Sequence, residues 1–142
     1  MTTTQHRASS ANAEFEQFFA KRSEAAAAYV NGDPAPLDAL VPHSGEATFH
    51  SPRGDSVSGA DAVSTRYRID AATFASGGRS RFEILQQEIS GDLAFWTGFQ
   101  VASVRMKDHK EPIEMRIRVT EVFRRTDGHW QLVHRHADTS GA

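Results

Sequence analysis

Apolar residues recur at helical spacing near the start of the chain. Phe15, Phe18, Phe19, Ala26, Tyr29 and Val30 form one stripe, which predicts an amphipathic helix. Asn12 is placed to cap it, Glu14 and Glu16 suit its first turn, and Asn31-Gly32 stops it. Residues 1–11 are polar and read as a frayed tail. Asp33-Pro34 suits the cap and first position of a short helix that ends near Val41-Pro42. Glu46–Ser51 reads as a short strand, and Pro52 to Asp55 as a turn. Ser58 to Asp61 resembles a capping box, followed by a helix with Val63, Tyr67, Ala71 and Phe74 on one face. Ser76-Gly77-Gly78 is expected to end that helix.

The period then changes to two. Strands are predicted at Ser80–Ser90, Leu93–Met106, Ile113–Arg125 and Trp130–Asp138, with turns at Gly91-Asp92, Lys107–Glu111 and Thr126–Gly128. Helices first and a long antiparallel meander afterwards make an α+β domain over residues 12–138, with 139–142 as a second tail. A three-residue loop at Thr126–Gly128 would oppose Arg125 to His129. Arg116 then pairs with Asp138, Arg118 with His136, and Thr120 with His134 on one face. On the other face Val119 meets Arg135 and Glu121 meets Val133, leaving Glu121 diagonal to Arg135 among apolar neighbours. A one-residue change in the loop would rearrange these pairs.

Length and charge narrow the class. The chain has 142 residues, with 16 Lys and Arg against 18 Asp and Glu, for a net charge of −2. One domain with a sizeable core is the expectation. The near-neutral balance points away from a nucleic-acid partner. No apolar run is long enough to span a membrane. The first ten residues carry no apolar signal segment. The absence of cysteine excludes disulfides, thiolate nucleophiles and zinc–thiolate sites. The expectation is a soluble cytoplasmic domain.

The element order, and the run from Thr120-Glu-Val122 through Asp127-Gly128-His-Trp130 to Val133-His134-Arg-His136, resemble the nuclear transport factor 2-like superfamily. That group includes SnoaL-like polyketide cyclases, ketosteroid isomerases and the association domain of calcium/calmodulin-dependent kinase II. Ser51-Pro52-Arg53-Gly54 and Gly59 also fall where such domains turn into their third helix. The resemblance implies a cone-shaped fold, with three N-terminal helices packed on a curved antiparallel sheet that encloses an apolar pocket. It also implies a small apolar molecule as partner, no cofactor, and a homodimer. Where ketosteroid isomerases carry a base aspartate, this chain has Ser51; their tyrosine donor falls on Ala25, and Glu121 matches their oxyanion-binding aspartate in type.

Glu121 is the first candidate for chemistry. Burial among Val119, Phe123 and Val133 would raise its pKa, and Arg135 nearby would lower it. As an acid or base, Glu121 would move a proton on a cyclic carbonyl compound, as isomerases, cyclases and dehydratases do. Arg135 would tune it or hold an oxyanion. The plainer reading is a structural Glu121–Arg135 pair. Phe49, Ser51, Tyr67, Trp96, Val119 and Val133 are candidate pocket residues. Arg118, His134 and His136 are further candidates on the opposite hairpin face, which also suits a subunit contact. His134, His136 and Asp138 share a face at a spacing that could ligate a metal, yet their neighbours Arg116, Arg118 and Thr120 favour an ordinary polar face, so no metal is assigned. A non-catalytic binding or assembly module is the rival to the enzyme.

Overall fold

The structure is a computed structural model that describes residues 2–139, with side chains described from residue 12 onward. Met1 and residues 140–142, most of the second expected tail, lie outside the described residues. The order of elements is α1 (Thr2–Tyr29), α2 (Ala35–Asp38), β1 (Thr48–His50), β2 (Ser56–Ser58), α3 (Ala60–Ala71), β3 (Phe74–Ser90), β4 (Leu93–Met106), β5 (Ile113–Thr126) and β6 (His129–Thr139). Helix α1 starts at Thr2 instead of after a cap at Asn12, because nothing between them is Gly or Pro and the helical turn simply continues. Three helices are present among the described residues, but α3 follows the first two strands, so they are not all N-terminal.

One six-stranded sheet runs in the order β2-β1-β6-β5-β4-β3. The expectation of an antiparallel sheet does not hold throughout, because β1 pairs with β6 in parallel. A strand of only three residues has too few alternating positions to reveal its partner or direction. Helix α1 lays its stripe on the inner face of the sheet. Phe15 meets Phe123 and Trp130 edge-on at 5.4 and 5.1 Å, and Phe19 reaches Trp96 and Phe82 at 6.2 and 6.0 Å. These rings form part of the main hydrophobic core.

Strand β3 begins at Phe74, six residues earlier than the period-two pattern suggests. Ser76-Gly77-Gly78 is not a helix stop. It sits in a register break between Ala75 and Arg79 where the end of α1 comes close, and a Cβ on Gly78 would stand 2.7 Å from the Val30 carbonyl oxygen. Asn31 ties the two together. Its Nδ2 donates to the Ala27 and Gly78 carbonyls at 2.8 and 3.0 Å, and its Oδ1 accepts from the Gly77 and Gly78 amides at 2.7 and 3.0 Å. Replacing Asn31 by Ala removes all four bonds and strands backbone groups. A loss of about 2 kcal/mol is expected, or roughly 8 °C of thermal midpoint, read by a thermal melt.

The closing hairpin departs from the expected register. Asp127 and Gly128 both have positive φ, 52° and 78°, which makes a two-residue turn with Thr126 opposite His129. Continued unbroken, that register would place His134 opposite Glu121 and turn Arg135 outward. A bulge at Val133 restores the parity, so Glu121 opposes Arg135 directly and Arg118 opposes Asp138. The odd-numbered face of β5 with Arg135 and Ala137 is therefore the inner one.

Candidate functional site

Glu121 sits in the middle strand of three, and its cross-strand neighbours are Trp96 on β4 and Arg135 on β6. Both donate to it. Trp96 Nε1 reaches Oε1 at 2.9 Å, and Arg135 Nη1 reaches Oε2 at 2.6 Å. From above, Arg22 on α1 closes a fork: Nε to Oε1 at 3.0 Å and Nη2 to Oε2 at 2.7 Å. Four donors thus occupy the four lone-pair positions of a fully buried carboxylate. Burial pushes the Glu121 carboxyl up, but the charges of Arg22 and Arg135, with the hydrogen bonds, outweigh it and hold it at about 2. The group is an ionised anchor at neutral pH, with no lone pair left to accept a proton.

Arg22 is absent from the sequence candidates. Its signal is present, because it falls seven residues after Phe15 on the apolar stripe, where an arginine must be buried. It is only 3% exposed, and among the described residues its Nη1 has no hydrogen-bond partner. Arg135 gives its Nη2 to Gln100 Oε1 at 2.5 Å, and Gln100 in turn donates to Ser80 at 2.9 Å.

In front of this cluster a cavity of about 300 Å³ opens between α1, α3 and the sheet. Arg22, Arg135 and Gln100 form its polar end, and Ala26, Val30, Leu37, Val104 and Ile117 are among its apolar walls. Tyr29 and Tyr67 line it side by side, their rings 6.5 Å apart. Burial pushes both phenols well above their usual range, so both stay protonated donors. At the mouth, Arg66 is held by Asp55 at 2.6 Å and by Asp70 at 2.9 Å. The Arg66 hydrogen bond, aided by Ser51, pulls the exposed Asp55 carboxyl far below its usual value.

The sequence candidates divide in three. Phe49, Ser51, Tyr67 and Arg135 line the cavity, though the Ser51 hydroxyl is spent on Asp55. Trp96, Val119 and Glu121 are buried behind or beside it. Val133 does not join them: it is the extra residue of the bulge and has no partner on β5. Arg118, His134 and His136 lie on the outer face of the sheet, away from the cavity. There Arg118 binds Asp138 at 2.7 Å, and Thr48 meets His134 at 2.6 Å. His50 arrives from β1 between the two histidines, its ring 5.2 Å from each. Burial, then the neighbouring His50 and His136, pushes the His134 pKa down. Among the described residues no three ligating side chains are arranged to hold a metal ion. No helix among them is long and apolar enough to cross a membrane.

A family model for the SnoaL-like domain matches residues 20–138. The chain belongs to the SnoaL-like domain family. This SnoaL-like domain matches no curated protein significantly. Its solved structural neighbours share the α+β nuclear transport factor 2-like fold. One is a nuclear transport factor 2-like superfamily protein from Salmonella enterica, at TM-score 0.77 and 16% identity over 95% of this chain and 94% of that one. Another is a proposed scytalone dehydratase from Novosphingobium aromaticivorans, at TM-score 0.72 and 17% identity over 99% and 89%. A proposed dehydratase of the nuclear transport factor 2-like family from Streptomyces avermitilis gives TM-score 0.70 and 21% identity over 91% and 95%. At these identities the likeness establishes the fold alone.

Proposed function

We propose that this SnoaL-like domain binds a compact, largely apolar molecule in the cavity between α1, α3 and the sheet. The observation that carries the reading is the composition of that cavity. Apolar walls lie between an inner polar end of Arg22, Gln100 and Arg135 and a polar mouth that includes Ser51, Arg66 and Asp70. Its volume of about 300 Å³ is at the small end of known ligand sites, roughly 300–1,000 Å³. In this reading Arg135, Tyr29 and Tyr67 orient an oxygen of the ligand, Phe49 and Tyr67 shape the wall, and Glu121 is a positioning residue that holds both arginines.

The catalytic version, an isomerase, cyclase or dehydratase acting on a cyclic carbonyl compound, draws support from the dehydratase descriptions of two structural neighbours. Its oxyanion holders would be Arg135 and the two phenols. The filled lone pairs of Glu121 move the proton-transfer role away from it. A homodimer and a cytoplasmic location complete the reading. The shallow depression at Leu85, Phe99 and Thr120 on the outer face offers surface for a second copy.

A thermal-shift screen with cyclic ketones, phenols and ring-bearing acids tests the cavity. A ligand at 100 times its dissociation constant adds about 2.7 kcal/mol, or roughly 10 °C. The shift should vanish in Ala26→Phe, which places a ring in the cavity. A flat screen, or shifts that survive this filling, would remove the proposal.

A further inference from the structure

Strand β1 is a thinly held wall of the cavity. It has three residues, and it joins β6 through three parallel pairs: Thr48 with His134, Phe49 with Arg135, and His50 with His136. Its other partner, β2, is an equally short strand at the edge of the sheet. Alternation sends Phe49 inward, where it is buried, packs on Tyr67 at 4.9 Å and lines the cavity. Ser51, Pro52 and Arg53 follow directly and line it too.

Thr48 and His50 point the opposite way and meet the histidines of β6 on the outer face. The His50 ring lies 5.2 Å from those of His134 and His136, edge-on to both. Thr48 Oγ1 meets His134 Nδ1 at 2.6 Å, and Ser56 Oγ meets His50 Nδ1 at 2.7 Å. A hydroxyl serves a neutral or a charged imidazole, so these bonds do not oppose protonation. The surroundings do. Strand β2 presents Ser56 and Ser58 opposite His50 and Thr48, and β5 presents Val122 and Thr120 opposite His134 and His136. Among the described residues, the charged groups facing the trio are Asp138 and Arg118. Asp138 Oδ2 lies 3.4 Å from His136 Nε2, and Arg118 holds the same carboxylate at 2.7 Å. Glu121 acts on His134 only from the inner side of the sheet, where Arg22 and Arg135 hold it. Three imidazoliums would therefore share one carboxylate that already has a partner.

We propose that His50, His134 and His136 form a pH-sensitive latch on β1. In mild acid their mutual repulsion loosens the β1–β6 pairing, and with it Phe49 and the segment at the cavity mouth. Uncharged imidazoles pack edge to face, and the latch is then closed. The direction follows from His134. Burial, then His50 and His136, hold its pKa below the ordinary 6.5. A group shifted that way leaves stability intact above 6.5 and withdraws it as pH falls below that value. The latch stands whether or not the cavity takes a ligand; its use as a gate rests on the cavity reading above.

Hydrogen exchange followed by mass spectrometry at about pH 7.5 and about pH 5, a range that spans histidine titration, reads the latch directly. Rates are corrected for the intrinsic pH dependence of exchange, and residues 44–58 are compared with β4. Protection of 44–58 should fall by about fivefold or more in acid while β4 holds, as expected for like charges opposed across paired strands. His50→Gln removes the middle imidazole and should keep 44–58 protected at both pH values. Should that variant fail to fold, His136→Gln takes away the ring opposite His50 and carries the same expectation. Constant protection of 44–58 in the unaltered protein overturns the latch. So does a loss that β4 shares equally, which is global unfolding, and so does a loss that survives both substitutions. Light scattering at the same two pH values covers one more outcome. A mass that falls in acid while 44–58 stays protected assigns the trio to a subunit contact and overturns the latch.

Discussion

Glu121→Gln should lower the thermal midpoint by roughly 12–20 °C. The carboxylate is the counter-charge for two arginines, and all four of its lone-pair positions are used. A glutamine of the same shape keeps one acceptor oxygen but turns an NH2 group toward a guanidinium, donor against donor. Two buried positive charges then face each other without compensation. Breaking a buried pair in this way costs about 3–5 kcal/mol, at roughly 4 °C per kcal/mol for a domain of this size. The same carboxylate sets a pH signature. Its folded pKa of about 2 lies below its ordinary value of 4.5, so its contribution is complete above pH 4.5 and is lost as pH falls toward 2. Midpoints measured from pH 6 to pH 2 should fall more steeply for the unaltered protein than for Glu121→Gln. Parallel curves, or a variant as stable as the parent, would sink the anchoring role.

Gly98→Ala should be nearly as damaging, although it adds one methyl group. Gly98 on β4 pairs with Ile84 beside the register shift between Ile84 and Gln86. An added Cβ would lie 2.0 Å from the Glu83 carbonyl oxygen and 3.0 Å from the Leu85 amide. Both are backbone atoms of the bulged strand, so no side-chain rotation relieves the clash and β3 must move. A loss of about 2–4 kcal/mol is expected, or roughly 8–16 °C. Urea unfolding measures it directly, and an unchanged midpoint would show that the bulge yields freely. Alternation along the strand suggests that Gly98 leaves room beside Trp96. The structure fills that space with the backbone of the neighbouring strand.

Periodicity read most of the element order because burial on one face of a helix or strand leaves its mark on residues close in sequence. The stripe from Phe15 to Val30, the meander strands and the Asp127-Gly128 turn were legible for that reason, and so was the proximity of Glu121 and Arg135. The register was not. Whether the last turn holds two or three residues, and whether Val133 bulges, depends on which side chains can be buried together, and the alternation is compatible with more than one answer. Val133 consequently moved out of the candidate site, and Glu121 gained a direct partner in place of a diagonal one.

The local pattern of this chain was enough to specify an α+β domain, its helices and long strands, and a carboxylate on the buried face of the closing hairpin. Packing between distant segments decided what that carboxylate does. Arg22 and Glu121 are 99 residues apart, and no short-range rule links them. The energy that joins them is the desolvation of both charges, which arises only once α1 covers the sheet. The same folding step brings His50 between His134 and His136 on the outer face. Long-range burial turns a strand glutamate into a fixed counter-charge for two arginines.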